Sequence, residues 1–186
     1  MKRSVLALTL LAVLPFAASA AEGVSYNHVQ GGYVATNNND GAPDADGYGI
    51  DASVAVHPNF HLFGGYSNQD IDNTNIDFDQ WRLGVGYNQE LTTKVDLVTR
   101  VAYEKFDAGS GFDFDGYSAE AGVRAALGTH VDGYALAGYE DYEDIDGDFY
   151  ARLGANVKFN ENWGLNGDVK FADGDAQWFV GPRFSW

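Results

Sequence analysis

Ten stretches of this chain place apolar residues at every second position, and that period restricts its fold more than any other feature. The clearest are "YGIDASVAV" (48–56), "QWRLGVGYN" (80–88), "LVTRVAYE" (97–104), "YSAEAGVRAAL" (117–127), "FYARLGANVKF" (149–159) and "WGLNGDVKF" (163–171). An opening strand near 25–36, a strand over 60–68, one over 133–142 with Ala135, Ala137 and Tyr139 on its apolar face, and the terminal "QWFVGPRFSW" (177–186) complete the set. Tight connections ("HPN", "QELTTK", "GTHV", "NEN") follow the even strands. Longer acidic ones ("NNNDGAPDAD", "DIDNTNID", "DAGSGFD", "EDIDGD", "DGD") follow the odd strands. Short turns at one end and longer loops at the other, with an even strand count, predict an up-and-down antiparallel barrel whose termini share the periplasmic side. Eight strands are the alternative, if one hairpin folds outside the wall.

A soluble sandwich alternates too, so the position of the aromatic residues decides between the two. Tyr33, Tyr48, Tyr66, Trp81, Tyr103, Tyr117, Phe149, Phe171 and Trp178 fall at the loop ends of their strands, and Tyr87, Phe159, Trp163 and Trp186 at the turn ends. Small aliphatic residues lie between. Amphipathic rings at two levels around an apolar band are the girdles of a transmembrane barrel. Segments of this length cross the roughly 30 Å hydrocarbon layer when tilted. Closing the sheet also leaves no unpaired backbone in lipid. The chain ends on Phe184 and Trp186, an aromatic close that resembles the signal read by barrel-assembly machinery. Pro182 faces lipid without an N–H for the ladder, which predicts a bulge or weak point there.

The first twenty residues stand apart. "MKRSVLALTLLAVLPFAASA" carries Lys2 and Arg3, an apolar run and the small residues Ala18 and Ala20, the pattern of a secretory signal peptide cut after Ala20. The expected organisation is a leader over 1–20 and one barrel domain over 21–186, exported to the outer membrane of a Gram-negative bacterium. Removing Lys2 and Arg3 takes the formal charge from −16 to −18, a balance that repels nucleic acid. With no cysteine, the fold gains nothing from disulfides.

The polar face carries most of the chemistry. Arg82, Arg100, Arg124, Arg152, Lys158, Lys170 and Arg183 share inward parity with Asp51, Glu104, Glu120, Glu140 and Asp168. A ten-stranded barrel is only slightly wider than the eight-stranded one that side chains fill. Charges in so narrow a space must pair, which predicts a lumen crossed by Arg–carboxylate bridges. Such a network either seals the barrel or leaves a slender gated path.

Enzymatic chemistry lacks its parts. His28, His57, His61 and His130 all fall in turns or in the turn-side half, away from the acidic loops, and no nucleophile–base spacing is present. "DIDGD" (144–148) and "DGD" (173–175) have calcium-loop spacing without the closing glutamate, so solvated turn acids are expected. Weak divalent bridging to lipopolysaccharide phosphates is the alternative. No cofactor is expected.

The stretches "SYNHVQGGYVATN", "NFHLFGGYSNQDIDNTN", "DLVTRVAYEKFDAG", "GYALAGYEDY" and "QWFVGPRF" make the chain resemble a family of small exported proteobacterial proteins known as sulfation-dependent quorum factors or activators of plant immunity. That family is in turn similar to the wider outer-membrane β-barrel superfamily. The resemblance implies a sulfated tyrosine near the mature N-terminus, which falls on Tyr26. Glu22 alone supplies nearby acid. The residue pattern instead places Tyr26 in the first strand, buried in the wall. Three roles follow: a non-enzymatic structural or surface-interaction barrel meeting envelope or host partners through acidic loops, a narrow porin-like channel, or a secreted signal precursor.

Overall fold

The computed structural model describes residues 20–39, 41–109, 113–143 and 145–186. Ten antiparallel strands form one closed sheet. They are β1 (His28–Asn37), β2 (Ala45–His57), β3 (Phe60–Ile71), β4 (Asp77–Thr92), β5 (Val95–Asp107), β6 (Asp113–Ala126), β7 (Val131–Tyr142), β8 (Ile145–Lys158), β9 (Trp163–Ala172) and β10 (Asp175–Ser185). Each strand pairs with its sequence neighbour and β1 closes on β10, so every strand has a partner on both sides. The count is ten, not eight.

Boundaries differ from the sequence reading in two places. The acidic connections are short, because their carboxylates belong to the strands: β4 begins at Asp77 and β8 at Ile145. Aspartate disfavours strands inside a protein, but strand ends projecting past the lipid keep their carboxylates in water. The second difference lies at the start of the barrel. β1 begins at His28 instead of near Ser25, and Ala21–Asn27 turn into the lumen. Tyr26 therefore lies inside the barrel and not in its wall.

Alternation decides which side chains meet lipid. Ile50, Leu83, Val101, Val123, Leu153, Leu165 and Val180 are exposed on the outside, between two rings of aromatics. At the loop level Tyr66 packs on Trp81 with centroids 4.4 Å apart, Tyr103 on Tyr117 at 5.7 Å, and Phe171 meets Trp178 at 6.3 Å. Tyr48 and Phe149 complete that level. At the turn level Phe60 packs on Tyr87 at 5.2 Å and Trp163 on Phe184 at 5.1 Å, with Trp186 stacked beyond and Phe159 outward and exposed. The β7 face is as the sequence indicates, with Ala135, Ala137 and Tyr139 outward.

The seam between β1 and β10 shows the expected weak point at Pro182 as a lapse in pairing, without a bulge, and with a close approach of the two backbones beside it. Register is constant from His28↔Ser185 to Asn37↔Ala176, and pairing lapses only opposite Gly181 and Pro182. A Cβ on Gly32 would fall 2.1 Å from the Val180 carbonyl oxygen, and one on Gly181 2.2 Å from that of Gly31. Backbones this close keep the strands together where proline removes a ladder bond. Gly32→Val should therefore cost the closed barrel more than the roughly 1–3 kcal/mol of ordinary overpacking. The check is the fraction of protein that keeps its compact gel migration without boiling, which should fall sharply. Gly167→Val, at a site with open space around its Cβ, should leave it unchanged.

Candidate functional site in the barrel lumen

The inward face brings all the predicted lumen charges together, in layers. At the outer level Lys170 Nζ bonds Glu140 Oε2 at 2.5 Å. Below it a cavity of ≈ 120 Å³ is lined by Asp51, Arg82, Glu104, Arg152 and Asp168 among others. Ser118 donates to Glu104 at 2.6 Å, and Arg82 Nε lies 3.6 Å from the same carboxylate.

Glu120 is the most connected carboxylate at the centre of the lumen. Its side chain is 1% exposed and accepts from Arg100 at 3.2 Å and from the Tyr150 hydroxyl at 2.9 Å, with Arg82 Nη2 at 3.9 Å. Both guanidiniums lie over the Phe63 ring, at 5.1 and 5.2 Å from its centroid. Nearby, Arg152 Nε spans both oxygens of Asp168 at 2.9 Å, and Tyr134 donates to the same carboxylate. Inward rings rest on cross-strand glycines: Phe63 opposite Gly84, His61 opposite Gly86, Tyr150 opposite Gly138 and Tyr134 opposite Gly154. A Cβ at any of these four glycines would overlap the ring, so glycine here allows an aromatic to lie flat across a narrow lumen.

The turn-side layer holds what the sequence reading missed. Arg124 donates to Asp132 through Nε at 3.2 Å and Nη2 at 2.6 Å, Asn156 adds a bond at 3.0 Å, and Lys158 Nζ sits 3.5 Å away. Asp132 and Asp96 are fully buried, yet both lie beside tight turns, where acids read as solvated. Their inward parity was the available signal: Asp96 pairs directly with Arg124, and Asp132 lies opposite Ala126, two residues from the same arginine. Arg183 departs from the expected carboxylate pairing: it bonds the Ser25 carbonyl at 3.1 Å and the Ser185 hydroxyl at 3.3 Å.

Ala21–Asn27 close this layer as a plug. Ala21, Val24 and Tyr26 pack with Ala55, Val98 and Leu136 in one apolar cluster. Tyr26 is 1% exposed, stacks on His61 at 4.6 Å, lies under the Arg124 guanidinium at 5.3 Å and donates to Asp96 at 3.0 Å. Burial pushes its hydroxyl well above the ordinary tyrosine range, so it stays a donor. The Glu22 amide donates to the Thr93 carbonyl at 2.8 Å, and Lys158 donates to that of Gly23.

His28 pairs with Asp51 at 3.1 Å and His61 with Asn88 at 3.3 Å. The hydroxyl of Ser53, the cross-strand neighbour of His28, bonds neither ring nitrogen. At the outer mouth, a cavity of ≈ 320 Å³ is bordered by Glu140, Asp146, Asp148, Asp173, Asp175 and Lys170. Asp144 lies outside the described residues. Asp175 accepts from the Asn39 amide at 2.8 Å, and among the described residues no group of three or more metal-ligating side chains converges.

A closed sheet with a girdled apolar exterior and a charged, hydrogen-bonded interior defines an outer-membrane β-barrel, since only such a sheet satisfies its backbone in lipid. The chain shows a low likeness to several solved structures. A KdgM porin in complex with disordered oligogalacturonate is 12% identical, with 88% of this chain and 99% of that one covered, at TM-score 0.49. Ail, the attachment invasion locus protein of Yersinia pestis, is 14% identical over 86% and 99%, at 0.42. Neisserial surface protein A is 14% identical over 87% and 98%, also at 0.42. Likeness at this level concerns the barrel and not a role. No protein-family model and no curated protein matches the chain.

Proposed function

We propose that this protein is a sealed, non-enzymatic outer-membrane barrel that works as a structural and surface-interaction protein, presenting an acidic outer rim to envelope or host partners. The observation that carries this reading is the filling from the centre to the turn side: the Glu120 cluster, the Arg124–Asp132 pair and the Ala21–Asn27 plug cross the lumen in succession. Paired charges and packed rings leave water no continuous path. Contacts with lipopolysaccharide, and delivery by barrel-assembly machinery through the Phe184–Trp186 close, fit the same reading. Within the quorum-factor resemblance it keeps the membrane barrel and drops the secreted sulfated signal, because Tyr26 is inside the lumen, bonded to Asp96.

Reconstituted into planar bilayers, the protein should show no discrete openings. Regular unitary currents that Arg124→Ala abolishes or enlarges would establish a channel instead.

A further inference from the structure

We propose that the turn-side lumen is a receptor for the chain's own processed N-terminus: cleavage between Ala20 and Ala21 frees an α-ammonium that forms a buried salt bridge with Asp96. Two independent observations converge on one atom. The small-residue pattern ending at Ala20 makes Ala21 the first residue after the cut. In the fold, the Ala21 nitrogen lies 3.0 and 3.2 Å from the two oxygens of Asp96.

Asp96 is 0% exposed and Ala21 is 1% exposed. The carboxylate's other partner is the neutral Tyr26 hydroxyl, and among the described residues no cationic side chain bridges it. A buried carboxylate held only by neutral donors is costly, and a cation placed beside it offsets that cost while the group stays charged. As an amide, Ala21 offers one N–H between two oxygens. As an ammonium it offers three donors and the missing charge.

The covalent step is hydrolysis by a signal peptidase. Water adds across the Ala20–Ala21 peptide bond, Ala20 leaves with the leader as a carboxylate, and the Ala21 amine takes a proton, as α-amines do at neutral pH. Processing thus creates the group that holds the plug. The bonds from Lys158 and Arg183 to the Gly23 and Ser25 carbonyls then fix the segment behind it. This inference does not depend on what the outer rim binds. Its readout is chemical and separate from conductance, so either proposal can fail alone.

Protein purified from outer membranes should begin at Ala21 on N-terminal sequencing. Acylation with an N-hydroxysuccinimide ester, resolved by peptide mass spectrometry, should label the Ala21 amine at least about tenfold more slowly in folded than in boiled protein, as expected for a group that reacts only on local opening. Lys94, exposed in a tight turn, serves as the reactive control. Asp96→Asn should bring Ala21 labelling in the folded barrel close to that of Lys94. Should that variant fail to assemble, a serine inserted ahead of Ala21 keeps Asp96 and displaces the ammonium, with the same expected gain in labelling. A mature chain beginning elsewhere, or an Ala21 amine as reactive folded as boiled, would overturn the proposal.

Discussion

Glu120→Ala should lower the unfolding free energy of the barrel by about 3–5 kcal/mol, the loss expected when one member of a buried ion pair is removed and its partners stay behind. The geometry explains why the loss should fall at this end of the range of single substitutions. Glu120 accepts from Arg100 and Tyr150 and faces Arg82, all inside the lumen, with the arginines lying over the Phe63 ring. Its removal leaves the Arg100 guanidinium and the Tyr150 hydroxyl without their carboxylate acceptor. Arg82 is less affected, because Glu104 lies 3.6 Å from its Nε. Glu120→Gln keeps an acceptor for Tyr150 but loses the charge, so it should cost less than the alanine variant. The decisive comparison is the double variant Glu120→Ala, Arg100→Met. Removing both members of a buried pair is often near neutral, so most of the loss should return as a favourable coupling energy. Urea titration of the liposome-folded protein, followed by tryptophan fluorescence, measures all three. An alanine variant as stable as the parent would show that the cluster fills the lumen without holding it.

The wall was legible in the sequence, and most of the lumen with it. Lipid outside and charge inside impose strict period two on every strand, so the parity of Trp81, Leu83 and Val85 alone fixed the inward direction of Arg82. The loop-level and turn-level aromatics were readable for the same reason. The plug was not. Tyr26, His28 and Gln30 share inward parity, so the alternation runs on past the true start of β1 and hides the point where the chain leaves the wall. That point is set by long-range partners: Asn27 Oδ1 accepts from the Ala55 amide at 2.8 Å, and Arg183 holds the Ser25 carbonyl. Asp96 and Asp132 were hidden similarly, since acids beside tight turns look solvated until the plug is seen covering them. The acidic connections erred the other way. Composition marked them as loops, and only strand pairing such as Asp79↔Asp107 shows how far the sheet projects beyond the lipid.

Leu153→Arg should destabilise the folded barrel by about 2–4 kcal/mol, the cost of a cation on the lipid face near the bilayer midplane. Leu153 is 48% exposed on the outside of β8, between Phe149 at the loop level and Phe159 at the turn level. It touches no lumen group, so the cost comes from the solvent outside and not from lost packing. Phe149→Arg, four residues away in the aromatic girdle, should cost only about 0–1 kcal/mol because an interfacial arginine reaches headgroups and water. Depth is the variable, and the pair of variants isolates it. In water an exposed leucine replaced by arginine stays within about 0.5 kcal/mol of the parent. Equilibrium urea unfolding from phospholipid vesicles gives both values. Unchanged stability for Leu153→Arg would mean that water covers that face, and the reading of this sheet as a membrane wall would fall with it.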